Sequence, residues 1–277
     1  MKKYIAMLLA LVMVFALAAC GSKTEEPQQN EGSAVADDAV VESDLAYVQT
    51  NDKLVVGITD FEPMDFQDDS GEWIGFDADM AKAFAETLGV DVEFVEIDWD
   101  NKILELNGKS VDCIWNGMTL TDEVTSSMDC GNAYCNNAQV VVVKADKAAE
   151  ITDEASLADL TFAVEAGSAG EAAAEDLSLT TTPVQTQAAA LMEVAAGTSD
   201  ACIIDSLMAA AMVGEGTSYA ELTYLADLPL TEELYGVGFR QGSDLVAAFN
   251  DFLAAAIADG TAQTIAETYG VQAALIQ

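Results

Sequence analysis

From Lys53 onward, short apolar runs alternate with stretches of helical periodicity, and the chain goes through this alternation twice. Such a pattern confines it to α/β units built on largely parallel sheets, because a parallel neighbour can be reached only through a crossover helix. Residues 54–58 read as a strand that runs into the turn-like segment Thr59-Asp60-Phe61-Glu62-Pro63. Gly75-Phe76-Asp77-Ala78-Asp79-Met80 then opens a helix in which Met80, Phe84 and Leu88 recur every four residues and share one face, and Gly89 closes it. A strand over 90–95, a helix near 101–106 and a strand over 111–115 complete the first unit.

The second passage repeats this order in outline. It has a strand over 160–164, a Gly-rich turn at 167–170, a helix start over 171–177 and an Ala-rich helix over 187–196 closed by Gly197. Asp200-Ala201-Cys202-Ile203-Ile204-Asp205 then parallels Asp112-Cys113-Ile114-Trp115-Asn116. Ligands of open α/β sheets sit beyond the carboxyl ends of the strands, so the polar strand ends of the two units are expected to face one another across a cleft. Apolar runs at 139–143 and 234–239 suit strands that cross between the units. A helix from Ser243, with Leu245, Phe249, Phe252, Leu253 and Ile257 on one side, returns to the first unit. Two crossings make a hinge.

Lys2 and Lys3 precede an apolar run over 5–19, shorter than the ~20 residues a spanning helix needs, so the segment reads as an export signal. Residues 21–50 are polar and acidic without periodicity and read as a flexible tether. The 277 residues carry 48 Asp and Glu against 10 Lys and Arg and no His, a formal charge of -38. That balance excludes a nucleic-acid partner, which needs clustered cations, and the lack of His excludes Ser-His-Asp and Cys-His catalytic units. Loss of the leader removes two Lys and leaves a charge of about −40, which favours a soluble monomer outside the cell. Hydrophobic residues at 51% supply a core. No metal or cofactor is expected.

Gly75–Phe84, followed by Asp112–Thr121 and Tyr235-Gly236-Val237-Gly238-Phe239-Arg240, resembles the type 3 extracellular solute-binding proteins, the amino-acid receptors of ABC importers, over about 52–272. The resemblance implies a two-lobe periplasmic-binding-protein fold of type II, with two mixed sheets joined by a two-strand hinge. Residues 51–142 and 233–277 would form lobe 1, and 143–232 lobe 2. Leu17-Ala18-Ala19-Cys20 resembles a lipobox, so residues 1–20 would be a lipoprotein signal peptide and Cys20 would carry the lipid, its two acyl chains being enough for stable anchoring. Permease subunits are the implied partners. The opening signature itself reads as helix-start chemistry, with Asp77 and Asp79 at the positive end of the helix dipole.

The same resemblance supplies a ligand set. Phe61 falls where an aromatic ring covers the ligand, and Asp60 beside it faces the ligand side chain. Trp99 takes a pocket-wall position, with a core Trp as its alternative. Asn116, Gly117, Met118 and Thr119 follow a strand end where main-chain groups and a hydroxyl grip the ligand. Trp115, one residue earlier, alternates toward the core. Ser168 and Ala169 offer N–H groups at a helix start, and Asp205 answers the α-ammonium. One position departs from the family: Val124 stands where an Arg usually forks onto the ligand carboxylate, and the chain's single Arg is Arg240. Three accounts follow. The N–H groups of Thr119, Ser168 and Ala169 hold the carboxylate alone, or Lys102 substitutes, or the ligand is cationic and lacks a free carboxylate.

Besides Cys20, the chain has Cys113, Cys130, Cys135 and Cys202. Cys130 and Cys135 are close enough in sequence to pair as a disulfide in an exported protein, while Cys113 and Cys202 suit small apolar packing. Two other functions remain open on this fold. One is a dehydratase acting on cyclohexadienyl substrates such as arogenate, with Asp205 or Glu165 as general acid, and the other is a sensory or adhesion module with no permease.

Overall fold

A computed structural model describes residues 43–277, so the expected export signal, Cys20 and the expected tether up to residue 42 lie outside the described residues. The first sheet has the order Asp91–Glu96, Lys53–Ile58, Cys113–Ile114, Gly238–Phe239, Asp129–Cys130. Lys53–Ile58 pairs in parallel with both its neighbours, and Gly238–Phe239 runs antiparallel to its own. Leu54, Val56, Gly57 and Ile58 are all buried, as befits a strand covered on both faces. Helix Phe76–Leu88 buries Met80 and Phe84, and ends on Gly89 at φ +74°, the left-handed geometry that lets Gly stop a helix. Phe84 meets Phe249 of helix Leu245–Ala258 edge to face at 5.8 Å, which ties the C-terminal helix to this sheet.

The second sheet has the order Thr180–Val184, Thr161–Glu165, Ala201–Asp205, Gln139–Lys144, Leu222–Tyr224, with Gln139–Lys144 antiparallel to both neighbours. Helices Ala169–Asp176 and Gln187–Ala196 pack on it. Both sheets are therefore mixed, as expected, and a two-stranded ribbon of Cys135–Asn137 and Glu233–Tyr235 lies between them in the chain.

The crossing strands differ from those expected at 139–143 and 234–239. Val140–Val143 are all buried, and only a sheet interior offers cover on both faces, so this run belongs wholly to the second sheet. Gly238–Phe239 belongs to the first sheet. The crossing falls instead to the more polar Cys135-Asn136-Asn137, opposite Glu233-Leu234-Tyr235.

The expected tether over 21–50 also ends sooner. Asp44–Thr50 is a helix, with the Ser43 side chain accepting from the Ala46 N–H and Val48 fully buried. Asp44 is fixed there by Arg240, whose Nε lies 3.0 Å from its carboxylate. The same guanidinium donates to Asp112 at 3.2 Å and to the carbonyls of Leu106 and Val111 at 3.2 and 2.7 Å. The only Arg of the chain is thus a structural clamp.

Cys130 and Cys135 are free thiols, not a disulfide. Strand register sets Cys130 opposite Gly238 and Cys135 opposite Tyr235. Three residues of extended partner strand separate those positions, ~10 Å, beyond the ~7 Å between Cα atoms that a disulfide tolerates. Cys113 and Cys202 lie fully buried in the first and second sheets, as small apolar side chains.

Candidate ligand-binding site

Strand ends of both sheets meet at a cavity of about 250 Å³. From the first half, Trp99, Lys102, the loop Asn116–Thr119 and Thr121–Val124 line it; from the second, Glu165, Gly167–Ala169, Ala172, Gln187 and Asp205. Each reaches the cavity for a local reason. Glu165 and Asp205 are the last residues of Thr161–Glu165 and Ala201–Asp205, and Asn116 follows the short strand Cys113–Ile114. Ser168 is the N-cap of Ala169–Asp176, its Oγ accepting from the Glu171 N–H at 3.0 Å.

Eight of the eleven positions expected at the site line this cavity: Trp99, Asn116, Gly117, Met118, Thr119, Ser168, Ala169 and Asp205. Asp60, Phe61 and Trp115 do not. Asp60 is exposed, and its carboxyl is raised by partial burial and by Glu96. The Phe61 ring packs beneath the loop, edge to face with Tyr235 at 6.4 Å and so close to Gly117 that a Cβ there would meet it at 2.4 Å. Gly117 sits at φ +54°, so the loop needs glycine for backbone and for space alike. Trp115 is buried between Phe84, Tyr134 and Phe249, the core placement that strand alternation favoured.

Asp205 is held by four side chains. Its Oδ1 accepts from Tyr235 at 2.6 Å, from Gln139 at 3.1 Å and from Asn137, and its Oδ2 accepts from Gln187. Burial, and then the nearby Glu233, push the carboxyl up to about 7. Glu233 Oε2 in turn accepts from Asn137 at 3.0 Å, Gln139 at 2.9 Å and Thr119 Oγ1 at 2.9 Å. The crossing ribbon, the Thr119 loop and the end of the second sheet therefore share one polar network. Asn137, Gln139, Gln187, Glu233 and Tyr235 were not legible as site residues, though Gln139 at the head of an otherwise apolar strand was a signal.

Glu165 is buried, and its Oε1 has no hydrogen-bond partner. Burial first, then the Asp205 charge, push it up to about 8; Lys102, Thr59 and Gln187 pull the other way. Lys102 is the cation lining the cavity among the described residues. Its Nζ donates to the Gly167 carbonyl at 2.8 Å and the Trp99 carbonyl at 3.3 Å, and lies 5.1 Å from the Trp99 ring centroid. Burial lowers its pKa, while Glu123, Glu165, Asp100 and Glu171 oppose that. Val124 lines the wall as a buried apolar side chain. The Ser168 N–H is already spent on the Glu165 carbonyl at 3.2 Å.

Asp77 does more than begin a helix. Its Oδ2 accepts from the Gly117 N–H at 2.6 Å and the Tyr134 hydroxyl at 2.7 Å, and so anchors the loop that floors the cavity. Asn116 is turned the same way: its Nδ2 donates to Asp65 at 2.8 Å and to the Thr59 carbonyl at 3.0 Å. Burial raises both carboxyls, Asp77 to about 7.

A cleft between two mixed sheets, closed over polar strand ends, defines a two-lobe solute-binding fold. The chain belongs to the bacterial extracellular solute-binding proteins, family 3, whose model matches residues 54–272. It is 28% identical over 261 residues to the arginine-binding extracellular protein ArtP of Bacillus subtilis, covering 91% of this chain and 92% of that one. It is equally 28% identical over 254 residues to the glutamine-binding protein GlnH of the same organism, covering 89% of each. Among solved structures it resembles an ancestral amino acid-binding protein described as a precursor of cyclohexadienyl dehydratase, with TM-score 0.75 and 32% identity over 82% of this chain and 99% of that one. Its homologues are amino-acid-binding extracellular proteins, and its architecture is that of the type II periplasmic amino-acid-binding proteins.

Proposed function

We propose that this chain is a lipid-anchored extracytoplasmic receptor that closes two lobes on an amino acid or a close derivative and presents the closed form to an ABC permease. The observation that carries this reading is the cavity itself, lined from both halves of the chain and holding Asp205 at the end of a fully buried strand. A ligand ammonium would meet Asp205, a charge-assisted bond that is strong where water is excluded. Main-chain groups near Thr119 and Ala169 would meet the other end of the ligand, with Trp99, Met118 and Val124 supplying apolar walls. Lys102 answers the missing Arg as the cation available for a carboxylate. The Lys102 bond to Gly167 joins the two sides, so closure and capture would be one event. Such work needs no covalent step and is served by a monomer.

Thermal-shift titration with the twenty amino acids, small dipeptides and polyamines tests it, since a ligand raises stability by RT ln(1 + [L]/Kd). A family of shifts among amino acids is expected, and none at millimolar concentration would refute the reading. For the anchor, labelled palmitate should enter the wild type and not Cys20→Ala.

One observation favours a second reading as an enzyme: a buried carboxyl, Glu165, lines the cavity, and burial pushes it up to about 8, the direction a general acid needs. Product formed from arogenate or prephenate would establish it, and its absence alongside amino-acid binding would leave the receptor.

A further inference from the structure

The polar groups of the cavity are unevenly committed. Asp205 Oδ1 already takes three donors and Oδ2 takes Gln187. The Lys102 ammonium has two of its three hydrogens on carbonyls. Glu165 lines the same cavity, and its buried Oε1 takes none. A buried acceptor left without a donor is a standing cost until one arrives, and a cationic nitrogen is the donor that gains most there.

Resting on the receptor reading above, we propose that Glu165 is a specificity-determining residue: its free Oε1 receives a second cationic nitrogen of the ligand, so the site selects a compact molecule with two basic groups a few carbons apart. Three features agree. Asp122 and Glu123 add negative charge to the facing wall, so acids outnumber Lys102 around the cavity and draw cations in. Trp99, Met118 and Val124 provide the apolar surface that a short methylene chain between two nitrogens would cover. Val124 also leaves the first wall without an anion-binding fork, so the ligand carboxylate is the less demanded end. The groups facing Glu165 are Asp205 and Gln187 from its own sheet side and Lys102 and Thr59 from the other. Lys102 lies on its carbonyl partners and does not fill Oε1.

This chemistry is met both by basic amino acids and by the diamines that lack their carboxylate. Calorimetric titration of the full chain in detergent with L-lysine, cadaverine, L-glutamine and L-glutamate separates the cases. L-Lysine or cadaverine should bind at least tenfold tighter than L-glutamine. Tighter L-lysine would identify basic amino acids as the ligands, and equal or tighter cadaverine would identify diamines; either supports the proposal. In Glu165→Gln, which keeps the side-chain shape, the preference for the dication over L-glutamine should fall at least tenfold. A second readout needs no variant: affinity of the wild type for L-lysine should tighten from pH 6.5 to 8.5 by ~20-fold as Glu165, at about 8, ionises, and by a further ~4-fold as Asp205, at about 7, does so, with protons released on binding. If L-glutamine or L-glutamate binds as tightly as L-lysine, or if Glu165→Gln keeps the full preference, the role of Glu165 is refuted while the receptor stands. If no amino acid or amine binds at any pH, the receptor reading falls with it.

Discussion

Raising the pH of the ligand-free protein from 4.5 to 8 should destabilise it, against the habit of most proteins, whose stability peaks between about pH 5 and 8. In the folded chain Asp77 and Asp205 titrate at about 7 and Glu165 at about 8, in place of 3.8 and 4.5, and burial is the first cause in each. Asp65 is raised by burial too. A carboxyl with a raised folded pKa keeps its proton when folded and loses it when unfolded. Over that window the native state binds more protons, and stability drains away as pH climbs. At about 1.4 kcal/mol per pH unit, Glu165 alone withdraws on the order of 4 kcal/mol between 4.5 and about 8. For a domain of this size that lowers Tm by roughly 10 °C.

Groups of opposite sign do not cancel this. Asp68, Asp153, Asp200 and Asp259 are held below 3.8 by hydrogen bonds from neighbouring hydroxyls and N–H groups, so their contribution is complete above that pH and is lost only in stronger acid. Lys102, lowered from 10.5 by burial, acts in the opposite sense toward the alkaline end. The chain's formal charge of -38 adds repulsion in the same direction as the raised acids. Melting curves by far-UV circular dichroism, taken without ligand every half pH unit from 4 to 8.5, measure the effect, and Glu165→Gln should flatten it. A Tm that holds level or rises from pH 5 to 8 would show that these buried carboxyls are not protonated in the folded chain.

Other outcomes follow from single contacts. Arg240→Met strands the buried Asp44 and Asp112 and should cost ~3–5 kcal/mol, read as a fall in the denaturation midpoint at unchanged slope. Asp77→Ala leaves the Gly117 N–H and the Tyr134 hydroxyl unanswered and should cost ~2–4 kcal/mol, with weaker ligand binding because the loop floor loosens; Asp77→Asn, which keeps an acceptor, should recover part of both. Gly167→Ala at φ +70° drives a Cβ to 2.7 Å from the Asp100 Cα on the opposite wall, a backbone atom with little freedom to retreat. Closure should suffer by ~1–3 kcal/mol, a roughly 5- to 150-fold loss of affinity in a calorimetric titration.

Where burial follows a simple period, the sequence was transparent. Helix Gln187–Ala196 and its stop at Gly197 match the expected 187–196, and Phe76–Leu88 stops at Gly89, because an apolar stripe and a left-handed Gly are both local signals. Edge strand Thr180–Val184 was not anticipated: its TTTPV sequence, largely exposed and with a Pro, carries no apolar signal. Short helices Asp122–Ser127 and Ser206–Met212 were missed as well, each less than two full turns long. At the site, Asn116 and Asp205 are readable as polar residues at strand ends, while Gly117, Met118 and Thr119 came only with the family resemblance. The direction of a side chain was not readable. Phe61 turns under Gly117, and Asp77 reaches a loop 40 residues away, because such partners are chosen by the assembled fold and leave no mark in local spacing.

In the proposed receptor, a ligand ammonium is answered inside the cavity by Asp205. The most direct test is isothermal titration of wild type and Asp205→Ala with whichever amino acid raises the wild-type Tm most, at pH 8, where the carboxyl is ionised. The variant should lose ~2–5 kcal/mol of binding, at least a 30-fold rise in Kd, while still melting cooperatively. Wild-type affinity in a folded Asp205→Ala protein would mean that Asp205 does not hold the ligand.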